Sequence, residues 1–187
     1  MKRATIGLTV MALLGLAYSP VQAQDAHAHE LELPTAAVVV LRPTKDNKVQ
    51  GRITFTEKNG VTQVRGNVRN LTPGDHGFHI HEFGDLRSPD GTAAGGHFNP
   101  EGKAHGGPDA AEHHVGDLGN ITANADGVAQ VKVDVKGLKV HFILGRSIVV
   151  HGGKDDLTSQ PSGAAGPRVA VGVIGVAGPV TKTAAAK

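Results

Sequence analysis

Histidine is the residue type that stands out in this chain of 187 residues, which contains eleven of them. His79 and His81 flank Ile80, and residues two apart in a strand point to the same side, so both imidazoles can converge on one ion. The other residues of interest follow in loops or at strand edges: His97, His105, His114, Asp117 and His151. Four imidazoles suit copper(II), whereas three imidazoles with a carboxylate suit tetrahedral zinc, so this composition indicates metal chemistry.

A single histidine carries little of this argument. An isolated imidazole is more often solvated or hydrogen-bonded in a core, and His-x-His alone is a weak signal for a metal. The chain contains no cysteine, which excludes disulfides, thiolate ligands and thiol nucleophiles. A copper ion bound here would therefore cycle in an all-nitrogen site.

The elements that must position these side chains are predicted to be strands. The chain has 26 glycines and 10 prolines and is rich in valine, which favours short strands joined by turns. Asn59-Gly60 lies between two extended segments and predicts a hairpin, and residues 128–135 alternate apolar and polar side chains. We predict an all-β fold, a Greek-key antiparallel β-sandwich or flattened barrel of about eight strands, with long loops that carry the metal ligands.

The two ends of the chain differ from its middle. Residues 1–23 join basic Lys2 and Arg3 to an apolar stretch and end in small residues, which predicts a secretory signal. That stretch is shorter than the ~20 residues that a membrane span needs, and no later stretch predicts a span. We predict a flexible arm over residues 24–35, one domain over 36–180 and a tail over 181–187. The signal favours secretion, with the bacterial periplasm as the compartment.

Bulk charge argues against one class of partner. Residues 1–23 hold two of the 19 basic residues and none of the 17 acidic ones, so the rest of the chain has 17 of each. This balance gives no support for nucleic-acid binding, and any electrostatic role must come from a local arrangement of charges.

Six blocks carry the candidate residues in a characteristic order. They are GFHIHEFGD (77–85), GGHFNP (95–100), HGGP (105–108), HHVGDLGN (113–120), VVHGGKDDL (149–157) and GPRVAVGVIG (166–175). In this order and at these spacings, the chain resembles the copper/zinc superoxide dismutase family over roughly residues 36–178.

The resemblance implies one copper and one zinc ion per subunit. It implies His79, His81, His97 and His151 on copper, and His97, His105, His114 and Asp117 on zinc, with His97 as an imidazolate bridge. It further implies that Asp155 hydrogen-bonds one histidine of each metal and that Arg168 docks the substrate anion. The implied reaction converts superoxide to dioxygen and hydrogen peroxide by redox cycling of copper.

Two features depart from the family pattern. The cysteines of the family's disulfide are matched here by Leu86 and Val171, and we expect these side chains to face each other in an apolar contact. The loop of residues 152–167 has one lysine and two aspartates, so we expect guidance of the substrate to depend chiefly on Arg168 and the copper.

The remaining histidines have weaker interpretations. We expect His76 to hydrogen-bond backbone near a strand end, His113 to be solvated, and His141 to have no metal role. His27 and His29 lie in the arm, where they could capture metal weakly or belong to a disordered segment.

Three functions stay open at this point. The first is a superoxide dismutase, either monomeric or a homodimer. The second is a copper/zinc carrier with the same fold but without turnover, and the third is a structural β-sandwich with degenerate sites. Arg168 together with a bridging His97 favours the enzyme, since a carrier needs neither.

Overall fold

The computed structural model describes residues 32–178. Within them, the strands are β1 Ala36–Pro43, β2 Gln50–Lys58, β3 Val61–Arg69, β4 Gly74–His81, β5 Asp117–Ala123, β6 Ala129–Lys136, β7 Ser147–His151, β8 Arg168–Val173 and β9 Gly175–Val176. Helical structure in the same range is limited to a 3-10 turn at Thr92–Ala94 and one short α-helix, α1, at Val140–Ile143.

The strands form a closed antiparallel barrel. Their order is β2-β3-β6-β5-β4-β7-β8-β1, and β1 pairs with β2 to close it, while the two-residue β9 extends the pairing of β1. Strands β3 and β4 are consecutive in sequence but separated in the sheet by β6 and β5, which is the crossing connection of a Greek key. The predicted all-β Greek-key barrel of about eight strands is confirmed.

Local sequence explains the β2–β3 hairpin. Lys58 pairs with Val61, so Asn59 and Gly60 form a two-residue turn with φ angles of 52° and 76°. A positive φ at both turn positions matches the right-handed twist of the strands and favours Asn-Gly. In β2, Ile53 and Phe55 are fully buried in the barrel core while their neighbours are exposed, so the alternation fixes which face points inward.

One strand was not expected from the sequence. Residues 83–119 are rich in glycine and show little alternation, which predicts a long loop, but the last three of them are already in β5. The burial of β5 does not alternate, and Gly119 adopts a φ of 79°, so the sequence lacks the two-residue period of a half-buried strand. Asp117 is thus the first residue of a strand and not part of a loop.

Two long connections begin directly after histidine-bearing strands, and they leave the antiparallel pair β4–β7 at its opposite ends. Residues 82–116 join β4 to β5, and residues 152–167 join β7 to β8. Strands β4 and β7 are neighbours in the sheet, with His79 opposite Val149. Both connections therefore start beside the histidine-bearing ends of two adjacent strands.

The expected contact between Leu86 and Val171 is not among the buried apolar contacts of the structure and stays a prediction. Val171 is buried in a small cluster with Ala94 and Val149, whereas Leu86 is 41% exposed and lines a surface cleft with Val173. Leu86 lies early in the 82–116 connection, before the chain turns inward at the 3-10 turn that contains Ala94. An apolar contact does join this connection to β8, but Ala94 supplies it.

Parts of the predicted organisation lie outside the described residues. These are the signal, His27 and His29 of the arm, and the tail over 181–187. From residue 32 to residue 178, no helix has the length and apolar character needed to cross a bilayer.

Candidate metal centre

The first group of donors is buried where β4 and β7 lie side by side. It contains His79, His81, His97 and His151, whose ligand atoms all lie within 4.8 Å of one another. The ring centroids of His79 and His97 are 4.0 Å apart, and Nε2 of His151 lies 3.4 Å from Nε2 of His81. His79 is fully buried and His97 is the most exposed member at 8%. Four imidazoles are thus focused on one point.

The second group shares His97 with the first. It contains His97, His105, His114 and Asp117, again within 4.8 Å of one another and all buried. Oδ1 of Asp117 lies 2.7 Å from Nδ1 of His97, 3.1 Å from Nδ1 of His105 and 3.2 Å from Nδ1 of His114. Three imidazole nitrogens and a carboxylate form the donor set that suits tetrahedral zinc.

Hydrogen bonds fix which ring nitrogen faces the first group. His81 Nδ1 donates to the carbonyl of Gly95 at 2.9 Å, and His151 Nδ1 donates to the carbonyl of Gly166 at 3.0 Å. Because a neutral imidazole has one N–H, the Nε2 atom of each ring keeps its lone pair. Such outer hydrogen bonds orient metal-binding histidines.

Asp155 connects the two groups. This fully buried carboxylate accepts from Nε2 of His79 at 2.7 Å through one oxygen and from Nε2 of His105 at 3.0 Å through the other. The oxygen that accepts from His105, Oδ1, also accepts from the backbone N–H of Leu157 at 2.7 Å. One side chain therefore sets the ring orientation of a histidine in each group.

Burial keeps the imidazoles of His79, His81 and His151 in the neutral form that binds metals. It lowers the pKa of His79 to about 4 and that of His151 to about 3, and it holds the pKa of His81 well below its usual value. Burial alone would raise the pKa of Asp117. Hydrogen bonds from His97 and from the backbone N–H groups of His114 and Gly106 outweigh it and hold that pKa well below the usual range. At neutral pH the centre offers lone pairs and negative charge.

Four buried ring nitrogens without hydrogen-bond partners in the described part of the chain show whether metal ions would fit this centre. Among residues 32–178, these are the buried side-chain atoms without a hydrogen-bond partner: Nδ1 of His79, Nε2 of His97, Nδ1 of His105 and Nδ1 of His114. Burying a polar atom without a partner costs about 1–3 kcal/mol, so four of them at two points call for a partner that side chains do not supply. Cations bound by nitrogen and oxygen ligands fit both groups.

Arg168 lies beside the first group at the start of β8, where it pairs with His151. Its guanidinium donates to the carbonyls of Gly91 and Gly95, both at 2.6 Å. The Gly95 carbonyl also accepts from His81, so the arginine and this histidine are fixed by one acceptor. These bonds also tie β8 to the 82–116 connection, where the family has a disulfide.

The other histidines stay outside both groups. His76 is buried, and its ring nitrogens lie 2.8 Å from the carbonyls of His151 and Thr72, as expected for a residue that hydrogen-bonds backbone. His113 is partly buried, with Nδ1 2.8 Å from the carbonyl of His114, so it is not fully solvated as we expected. The ring of His141 stacks against Phe142 at 4.3 Å.

Sequence reasoning missed three supports of the centre. The side-chain amide of Asn120 exchanges two hydrogen bonds of 2.8 Å with the backbone of Asp155. Gln160 does the same for the backbone of His105, at 2.8 Å and 2.9 Å. Gly163 packs so closely that a Cβ there would lie 1.7 Å from Oδ1 of Asp155. Asn120 is part of a matched block, but nothing in the polar loop sequence distinguishes Gln160 or Gly163.

Comparison with known proteins agrees with this geometry. A sequence model of the copper/zinc superoxide dismutase family matches residues 49–174. An extracellular superoxide dismutase [Cu-Zn] of Onchocerca volvulus is 45% identical over 155 residues, which cover 75% of this chain and 76% of the relative. Superoxide dismutase [Cu-Zn] 2 of Mesembryanthemum crystallinum is 46% identical over 141 residues, 70% of this chain and 90% of the relative. A crystal structure of the clock protein EA4 superposes with a TM-score of 0.73 at 38% identity, covering 80% of this chain and 99% of that one.

Proposed function

This chain belongs to the copper/zinc superoxide dismutase family, and from that premise we propose that it converts two superoxide anions and two protons into dioxygen and hydrogen peroxide. The observation that carries the proposal is the pair of donor groups that share His97 and are joined by Asp155. Bound copper would supply the one-electron redox chemistry, for which zinc has no second accessible oxidation state.

The ring nitrogens divide between the two ions. We assign Nδ1 of His79 and Nε2 of His81, His97 and His151 to copper. We assign Nδ1 of His97, His105 and His114, with the carboxylate of Asp117, to zinc. Asp155 keeps its role of orienting one histidine of each set.

His97 is the residue that can handle a proton between the two sets. Its Nδ1 lies 2.7 Å from Asp117, which fixes the ring, and its buried Nε2 has no hydrogen-bond partner among residues 32–178. Nε2, whenever it is not bound to copper, is therefore the atom at which the chain can hold a proton and release it to the reduced substrate. The fixed ring means that the transfer needs no large movement of the side chain.

Arg168 supplies the positive charge that meets the substrate. Guanidinium has five N–H donors, and the carbonyls of Gly91 and Gly95 occupy one on each terminal nitrogen. The remaining donors and the permanent charge suit a small anion. Lys154, the one lysine of the 152–167 loop, lies 3.5 Å from Asp75, which offsets its charge, so Arg168 is the main cation at the site.

The decisive measurement is the dismutation rate against copper content, for the protein loaded with copper and zinc and for the His81→Ala variant. We expect the dismutation rate of the parent to be proportional to its copper content and that of the variant to be at least about 100-fold lower. Removing the hydrogen-bond partner of a ligand typically lowers activity or metal affinity about 10–100-fold, and removing the ligand itself should have a larger effect. The matched control is His141→Ala, which removes an imidazole outside both groups and should change the rate less than twofold. A parent that binds copper fully but turns over no faster than aqueous copper would be a carrier.

We also propose that the protein is secreted, and more specifically that it resides in the bacterial periplasm. Secretion is supported by the pattern of residues 1–23 together with relatives that are named extracellular, whereas the periplasm is proposed from the signal pattern alone. Sequencing the amino terminus of the protein from a producing cell tests this. A start at Gln24 is expected, and a protein that retains residues 1–23 would contradict it.

A second copy of this chain is the partner that we propose for one exposed apolar surface. Phe83, Leu86 and Val173 are between 37% and 51% exposed, and they line a cleft of about 900 Å³ that the loop of residues 82–87 forms with residues 144–146 and Val173. That cleft carries charges of both signs from Glu82, Asp85, Arg87 and Arg146. A twofold axis can pair opposite charges across such a surface while the apolar side chains are buried.

Light scattering after size exclusion tests the homodimer. We expect the parent to have twice the mass of one chain and the Phe83→Asp variant to have the mass of one, because a buried unpaired carboxylate opposes the contact. Phe142→Asp is the matched control, since Phe142 is the more exposed ring at 62% but lies outside the cleft of residues 82–87. A monomeric parent, or equal behaviour of the two variants, would contradict the proposed surface.

A further inference from the structure

A second cleft, of about 620 Å³, lies on the other side of Arg146. Its apolar lining consists of Phe98, Val115, Val135, Leu138 and Phe142. Its charged lining consists of Lys103, Lys136, Lys139, Arg146 and Glu101. This volume and this combination of an apolar floor with a few polar groups are typical of small-molecule sites. None of the residues of the two metal-binding groups lines it.

The floor offers an aromatic surface. Phe98 and Leu138 are 7% and 5% exposed and form a fixed base, while the Phe142 ring on α1 is 62% exposed beside them. The guanidinium carbon of Arg146 lies 3.5 Å from the centre of the Phe98 ring and covers its face. A large exposed ring next to a buried apolar base is a surface on which another flat ring can stack.

The rim has a surplus of positive charge. Lys103 pairs with Glu101 at 2.5 Å and Lys139 pairs with Glu57 at 2.6 Å. Arg146 donates to the carbonyls of Phe142 and Glu82 and has no ion pair at contact distance among the described residues, although the Glu82 carboxylate offsets part of its charge. The lining of the cleft therefore has four cations and one carboxylate, Glu101, and carboxylates outside the lining, such as Glu57, offset part of this charge.

From this combination we infer that the cleft binds a small aromatic carboxylate, with its ring on the floor beside Phe142 and its carboxylate at the lysine rim. The surplus of cations provides the charge complementarity, and the partly apolar surroundings strengthen the hydrogen bonds between ammonium and carboxylate. A second copy of the chain fits this face poorly, because a twofold contact would bring the cations of both rims together. A nucleic-acid backbone would use the charges but leave the apolar floor uncovered.

Binding of 2-naphthoate to the protein loaded with copper and zinc tests the inference. Fluorescence anisotropy of the ligand suits this chain, because Tyr18 is its one tyrosine and it has no tryptophan. The neutral 2-naphthamide keeps the ring but lacks the charge, so it shows how much the carboxylate contributes to binding. Acetate keeps the charge but lacks the ring, so it shows how much the ring contributes. Lys136→Glu removes a rim cation, and Lys132→Glu is its matched control, since Lys132 lies on the same strand but does not line the cleft. Phe142→Ala removes the exposed ring.

We expect 2-naphthoate to bind with a dissociation constant of about 1 mM or tighter, the range expected for a ligand of this size. The amide and acetate should bind at least tenfold more weakly. Lys136→Glu and Phe142→Ala should each weaken binding at least fivefold, and Lys132→Glu less than twofold. Equal affinity for the amide, or equal effects of the two lysine variants, would overturn the inference. A change in the mass of the Phe142→Ala protein in solution would instead assign this face to contact between copies.

Discussion

Replacing Arg168 by glutamine is expected to lower the rate constant of superoxide dismutation at least tenfold while copper and zinc stay bound. The variant keeps an amide that can donate to one of the carbonyls of Gly91 and Gly95, but it loses the positive charge beside His81. A local positive potential raises the rate of encounter with an anion by about 10–1,000-fold. The rate should be measured by pulse radiolysis at several salt concentrations, with metal content determined on the same samples.

The matched control for Arg168 is Arg87→Gln. Arg87 is an exposed arginine that pairs with Asp85, and 89% of its side chain is accessible. The substitution removes the same charge as Arg168→Gln and should change the dismutation rate less than twofold. Azide gives a second measurement, because its binding to the copper should weaken in Arg168→Gln alone. Arg168→Lys keeps the charge but not the planar fork, so its rate should lie between those of the parent and the glutamine variant. A fully metallated Arg168→Gln protein with the parent's rate would show that guidance does not depend on this residue.

The sequence was most informative where chemistry or a backbone requirement is tied to residue type. The Asn59-Gly60 turn needs two positive φ angles, and the alternation in β2 and β6 sets the inward face, so the barrel could be predicted from local patterns. The candidate histidines and Asp117 were selected through the six blocks that resemble the family, because residue type alone does not separate them from the other histidines and carboxylates of the chain. The structure brings them into two groups, and their roles as ligands stay proposals.

The acceptors that orient the histidines could not be predicted. His81 and His151 donate to the carbonyls of Gly95 and Gly166, and every residue has a carbonyl, so residue type does not identify the acceptor. The exposure of Leu86 could not be predicted for a similar reason. Position within an irregular connection says little about which side chain turns inward, and there it is Ala94 that reaches Val171.

Gly163 has a positive φ angle and also packs directly against Asp155 and His105 of the candidate metal centre. Its φ is 68°, and a Cβ at this position would lie 1.7 Å from Oδ1 of Asp155 and 2.7 Å from Nε2 of His105. Asp155 has little freedom to move away, because Asn120 and the N–H of Leu157 hold it. Gly163→Ala is therefore expected to displace the carboxylate that orients His79 and His105, and to release zinc about 10–100-fold faster, the range for losing such a partner.

Gly166→Ala is the control for Gly163→Ala, because it introduces the same backbone strain without the clash with Asp155. Gly166 is in the same loop with a φ of 78°, but a Cβ there would meet just the backbone nitrogen of Gly153, at 3.8 Å. It should cost the roughly 1–2 kcal/mol of a left-handed residue and leave zinc in place. Ala164, with a φ of 50°, shows that this loop accepts such a residue. Calorimetry with and without metals, zinc transfer to a chelator, and the visible spectrum of cobalt in the zinc site should distinguish the two variants. If both lose stability equally and keep their zinc and the parent's cobalt spectrum, Gly163 acts through its φ angle alone, and the contact with Asp155 is not what requires glycine.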